Sequence, residues 1–224
     1  MSMRFLVSSL AILAYPALDS RAQDHLLPER GVLNEQLGLD YLKSVRDVLL
    51  KDSAPHYRAR VVVIPTFQMH WAVTLTYEGD DPPAYFVEYV VSEGKRSPNE
   101  AGVRKIKAPI DREAAEAVQQ VWFRMLREVH YPEKAVGGQA DGVTYHFSRF
   151  VPYLSEDPKA PPGWEAGQIW TPDPASMPGR LVALSEALRA YASARHKERA
   201  RLQESISKQA NDLLSDLEKR RKSR

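Results

Sequence analysis

Residues Met69–Val91 read MHWAVTLTYEGDDPPAYFVEYVV, and their alternation decides the fold. Met69, Trp71, Val73, Leu75 and Tyr77 fall on one side of an extended chain, and His70, Ala72, Thr74 and Thr76 on the other. A period of two is the signature of a strand rather than a helix. Asp80–Asp81–Pro82–Pro83 is a turn, and Ala84–Val91 is a second strand rich in aromatic and β-branched residues. Two such strands joined by a short loop form an antiparallel hairpin. Pairing Thr74 with Glu88 sets His70 opposite Ser92.

Further strands and helices extend from this hairpin. Val61–Ile64 is a continuous apolar run, as in a strand covered on both faces. Arg104–Ala108 reads as a charged edge strand, with Lys105 and Lys107 toward solvent. Residues 143–150 alternate Val143, Tyr145 and Phe147 against Thr144, His146 and Ser148, which predicts a strand with one apolar and one polar face. Asp141–Gly142 before it is a turn pair. Leu37, Leu39, Leu42, Val45, Val48 and Leu49 predict an amphipathic helix over 36–51. A second helix follows Asp111, whose carboxylate can cap the first amides. Its buried stripe runs through Ala114, Ala117, Val118, Val121, Trp122, Met125, Leu126 and Val129. Pro178 opens a third helix, with Leu181, Leu184, Leu188 and Tyr191 inward. The stripe lapses from Ser193 to Arg201 and resumes at Leu202, Ile206, Ala210, Leu213 and Leu217. Residues 151–178, with seven prolines, read as a long irregular loop packed on the surface. The expected fold is α+β: an antiparallel or mixed sheet of four or five strands, helices packed on it, and a protruding C-terminal helix. The expected division is one domain over 23–195 and a charged amphipathic tail over 196–224.

The N-terminus has the form of a secretory signal. Arg4 precedes the apolar core Phe5–Tyr15, Pro16 follows, and Ser20–Arg21–Ala22 supplies a small-residue cleavage site before Gln23. The apolar run is shorter than the ~20 residues that span a bilayer. Residues 1–22 are therefore expected to be removed, leaving a periplasmic or secreted protein. The chain has 224 residues, 43% hydrophobic and 27% charged, and no cysteine. It can bury a core without disulfides, and thiolate chemistry is excluded. Net charge is +2, so no whole-molecule field points to nucleic acid. Residues 189–224 hold 11 basic and 5 acidic side chains, which confines basic character to the tail.

No motif reaches the standard of a catalytic or cofactor signature. The glycines of Val136–Phe147, VGGQADGVTYHF, are not followed by a helix start, so they build no phosphate loop. Asp141 and His146, five apart on a strand, point to opposite faces. None of the six histidines forms a metal-ligand pair in sequence. Ser92–Lys95 and Ser205–Lys208 match S-x-x-K without the accompanying elements. No metal and no cofactor is expected. Glu88 is the only charge within Tyr85–Val91 and needs a cationic partner or a cleft. The residues to inspect are His70, Glu88, Asp141 and His146 for a discontinuous site, with Trp164 and Trp170 as interface anchors or core aromatics.

The layout IPTFQMHWAVTL, YFVEYV, VWFRMLREVHY, DGVTYHF and IWTPDPASMPGRLVALSEALRAY resembles that of uncharacterised exported bacterial proteins. In these a strand pair precedes a Trp-containing helix, an Asp–Gly–x–x–Tyr–x–Phe strand and a Trp–x–Pro loop. The resemblance covers roughly residues 60–192, implies a shared fold and transfers no site. The expected function is a non-catalytic binding or interaction protein of the bacterial envelope, with an unknown protein partner or self-association through 197–224. The alternatives are an envelope hydrolase with a discontinuous site, and a binder of anionic surfaces, membrane or polyanion, through the basic tail.

Overall fold

The computed structural model describes residues 24–29, 40–51, 53, 56–93, 102–131, 142–152 and 163–223. Eleven elements follow one another among these residues: β1 (Leu27–Pro28), α1 (Asp40–Leu50), β2 (Ala59–Pro65), β3 (Trp71–Glu78), β4 (Ala84–Ser92), β5 (Val103–Ile110), α2 (Arg112–Arg127), β6 (Val143–Val151), β7 (Gly163–Trp170), α3 (Met177–Ser193) and α4 (His196–Lys222). The strands form one antiparallel sheet in the order β1-β7-β6-β2-β3-β4-β5.

The α+β class and the central hairpin are as expected, and the hairpin's register sets Thr74 opposite Glu88. The four- or five-stranded sheet is a correction: seven strands are present among the described residues. The two extra strands are β1, in a segment read as irregular, and β7, inside the proline-rich stretch read as a loop. Gly163, Gly167 and Ile169 are the buried positions of β7, so two of the three have no side chain to give an apolar period. The glycine at 167 is required by proximity, because a Cβ there would lie 2.7 Å from a Val129 methyl and 3.1 Å from Leu26 Cβ.

The two faces of the sheet are covered differently. Val61, Val63, Trp71, Val73, Leu75, Val87 and Phe147 turn toward α2 and α3 and form the main core. Val62, Ala72 and Val90 turn the other way and pack under Val45 and Leu49 of α1. This division explains why β2 reads as continuously apolar. Trp122 of α2 reaches from the helical layer to the sheet, its indole N–H donating to the Arg60 carbonyl at 3.1 Å.

The protruding C-terminal helix is a second correction. Ala194 and Arg195 are extended, with ψ of 152° and 148°, and the chain reverses there. Arg180 near the start of α3 pairs with Asp216 near the end of α4 at 2.7 Å, while Tyr191 and Gln203 meet at the opposite ends. The two helices are thus antiparallel neighbours. The stripe Ile206, Ala210, Leu213 and Leu217 is buried within the main core. Burying each large aliphatic side chain stabilises by ~1.5–3 kcal/mol, which favours docking over projection into water. Asp111 stands at the N-cap of α2, yet its carboxylate accepts from Gln203 Nε2 of α4 and makes no cap bond. It joins two helices instead of finishing one.

Candidate functional site

The sheet face turned toward α1 carries a line of polar residues across five strands. Ser148 on β6, Arg60 on β2, Thr74 on β3, Glu88 on β4 and Lys107 on β5 each stand directly opposite the next. The first four are buried. Arg60 Nε donates to Thr74 Oγ1 at 3.2 Å, and its guanidinium lies 3.6 Å over the Tyr57 ring. The Tyr57 hydroxyl and Ser148 Oγ share a 2.8 Å hydrogen bond. Glu88 lies 3.2 Å from Lys105 Nζ and 3.8 Å from Lys107 Nζ. Lys107 also contacts Glu78 and sits 4.2 Å over the Phe86 ring.

The electrostatics follow from burial. Desolvation lowers the Arg60 pKa, and Tyr57 and Glu88 beside it offset part of that effect. Desolvation raises the Tyr57 phenol above its ordinary value, with Arg60 and the Ser148 hydrogen bond opposing. A buried charge needs such partners. The line also pins strand register, because a one-residue slip would turn Arg60 and Glu88 into the helical core.

The residues singled out in the sequence do not converge. His146 is on the same face as Glu88, three strands across and two residues along, roughly 16 Å at ~4.8 Å per strand and ~3.3 Å per residue. It is 3% exposed, and its Nδ1 lies 3.3 Å from Glu29 Oε1 beside β1. The polar face of β6 is therefore covered rather than solvated. His70 does stand opposite Ser92, but the serine hydroxyl donates to the His70 carbonyl at 3.3 Å. Burial lowers the His70 pKa. Asp141 lies outside the described residues. Lys105 and Lys107 supply the cationic partners that Glu88 needs. Among the described residues no group of three or more His, Cys, Asp or Glu is placed to hold a metal ion.

Trp170, at the end of β7, is half-buried against Gly142, where a Cβ would meet its ring at 2.3 Å. Gly142 is thus held by close approach of the tryptophan. Trp164 differs. It stands opposite Phe150 on β6, with ring centroids 6.2 Å apart in an edge contact, and is 59% exposed. Phe150 in turn meets the His56 ring edge-on at 4.4 Å. The Phe150 amide donates to the Tyr57 carbonyl at 3.2 Å, which ties this aromatic row to the buried polar line. The sequence named Trp164 but neither Phe150 nor His56, because the Trp164–Phe150 contact needs the β6–β7 pairing and the Phe150–His56 contact needs the chain before β2 to lie against β6.

The basic C-terminal end of α4 is partly neutralised: Arg220 pairs with Asp24 at 2.9 Å and Lys219 with Asp216 at 3.0 Å. Among the described residues no helix is long and apolar enough to cross a membrane. No family model, no curated protein and no solved structure matches the chain.

Proposed function

We propose that this is an exported, non-catalytic binding protein of the bacterial envelope, and that it holds a protein partner through the row Trp164–Phe150–His56. The observation that carries the reading is Trp164: a large ring, mostly in solvent, oriented by an edge contact with Phe150 on a paired strand. An aromatic side chain with few rotatable bonds, fixed before binding, loses little entropy on contact and anchors interfaces well. The signal-like pattern of residues 1–22 supports export. The partner surface is assigned to the sheet flank and not to α4, whose apolar stripe packs on α2 and α3.

The test is retention of partners from an extract of its own cell envelope, read by mass spectrometry. The native protein is expected to retain a stoichiometric partner, and Trp164→Ala to lose it at unchanged melting temperature. Equal retention by the two, or no stoichiometric partner, would reject the reading.

A further inference from the structure

A second site lies on the opposite side of the sheet. A pocket of ≈ 470 Å³ opens between the residue before β2, β4, α2 and α4, lined by Arg58, Tyr85, Glu113, Glu116, Gln120 and Asn211 among others. Its volume is within the range of small-molecule sites, ~300–1,000 Å³. Arg58 stacks 4.3 Å over the Tyr77 ring. Its Nε is buried and makes no hydrogen bond, and no side-chain hydrogen bond or ion pair of its guanidinium occurs among the described residues. An arginine donor shielded from water and left without an acceptor is costly, and such groups are rare in folded proteins. A guanidinium fork at a pocket wall is the usual receptor for a carboxylate.

The remaining charges narrow the ligand. Glu116 is engaged by Arg112 at 2.7 Å. Glu113 has no ion pair among the described residues and faces the same pocket. A ligand carrying only negative charge would meet Glu113 as well as Arg58. A ligand with a carboxylate and an ammonium group would satisfy both, with the Gln120 and Asn211 amides available to its polar atoms. We propose that this pocket binds a small zwitterion, a free amino acid or a dipeptide, with Arg58 taking the carboxylate and Glu113 the ammonium group. This site is distinct from the Trp164 flank and does not depend on it.

Isothermal titration calorimetry of the purified protein tests it, with L-alanine, L-alanyl-L-alanine, the N-acetylated dipeptide and the dipeptide amide as probes. At least one of the two zwitterions is expected to bind, and which one does sets the ligand length. Blocking either end is expected to weaken binding tenfold or more. Arg58→Gln and Glu113→Gln are expected to do the same, while Trp164→Ala leaves zwitterion binding unchanged. Glu113 is exposed, so its variant remains informative if Arg58→Gln fails to fold. No heat from either zwitterion at millimolar concentration would overturn the proposal. So would equal binding of the blocked probes, or binding unaffected by Glu113→Gln.

Discussion

At Gly179 the backbone leaves no room for a side chain. A Cβ there would lie 2.0 Å from the Asp173 carbonyl oxygen and 2.8 Å from Pro174 Cα, both main-chain atoms that cannot swing aside. The same residue donates its amide to Ser176 Oγ at 3.1 Å, which caps α3. Gly179→Ala is expected to destabilise the protein by ~1–3 kcal/mol, as overpacking does. Urea denaturation measures this, and an unchanged midpoint would show that the Asp173–Pro174 turn yields. The start of this helix was legible at Pro178, but the carbonyl it folds under was not, since that contact depends on the turn's path. Glu88 has a similar history. Its need for a counter-charge could be read from one carboxylate amid apolar neighbours. Its partners could not, because they come from the next strand and are selected by the Glu88–Lys107 register. Gly142 was read as a turn residue, and the Trp170 ring that requires it arrives from β7.

At the scale of elements, α4 shows most clearly how tertiary packing changes a sequence reading. Its apolar spacing was visible, and so was the polar lapse before it. What periodicity could not supply was the direction of the chain after the lapse. The reversal at Ala194–Arg195 lays α4 across α2 and α3, where Arg124–Glu218 and Arg180–Asp216 join it to both. Ending the chain at residue 195 would therefore uncover the core rather than trim an appendage. Such a truncation is expected to unfold or aggregate, and Leu213→Ala to cost ~2–5 kcal/mol from the cavity it leaves. Circular dichroism melts of both variants check this; a truncated protein melting like the full chain would mean that the docked α4 contributes nothing. β7 is the converse case, an element hidden by its glycines. Proline density around it suggested a loop, yet the prolines at 161, 162 and 172 flank the strand and leave its ladder intact.

At the scale of the molecule, three buried or half-buried phenols among the described residues couple stability to alkaline pH. Burial raises Tyr57, Tyr145 and Tyr191 above their ordinary value near 10. The folded state therefore holds these protons more tightly than the unfolded chain does. Their contribution is complete below pH ~10 and is lost as pH rises through the raised values. The melting temperature is expected to fall above pH ~10. Tyr57→Phe is expected to flatten that fall, while lowering stability at neutral pH by ~1–2 kcal/mol because Ser148 loses its buried partner. Melting curves from pH 7 to 11 decide it, and an equally steep alkaline fall in the variant would remove Tyr57 from the account. By itself the sequence determined the α+β class, the β3–β4 hairpin, the charged edge strand and the inward stripes of α2 and α3. These follow from period and turn chemistry, which act between residues close along the chain. Only the tertiary structure decided the strands β1 and β7, the docking of α4, the polar line from Ser148 to Lys107, the exposed Trp164 flank and the Arg58 pocket. Each of these brings together residues from separate strands or helices, and their apposition depends on strand order and helix direction, which no local pattern encodes.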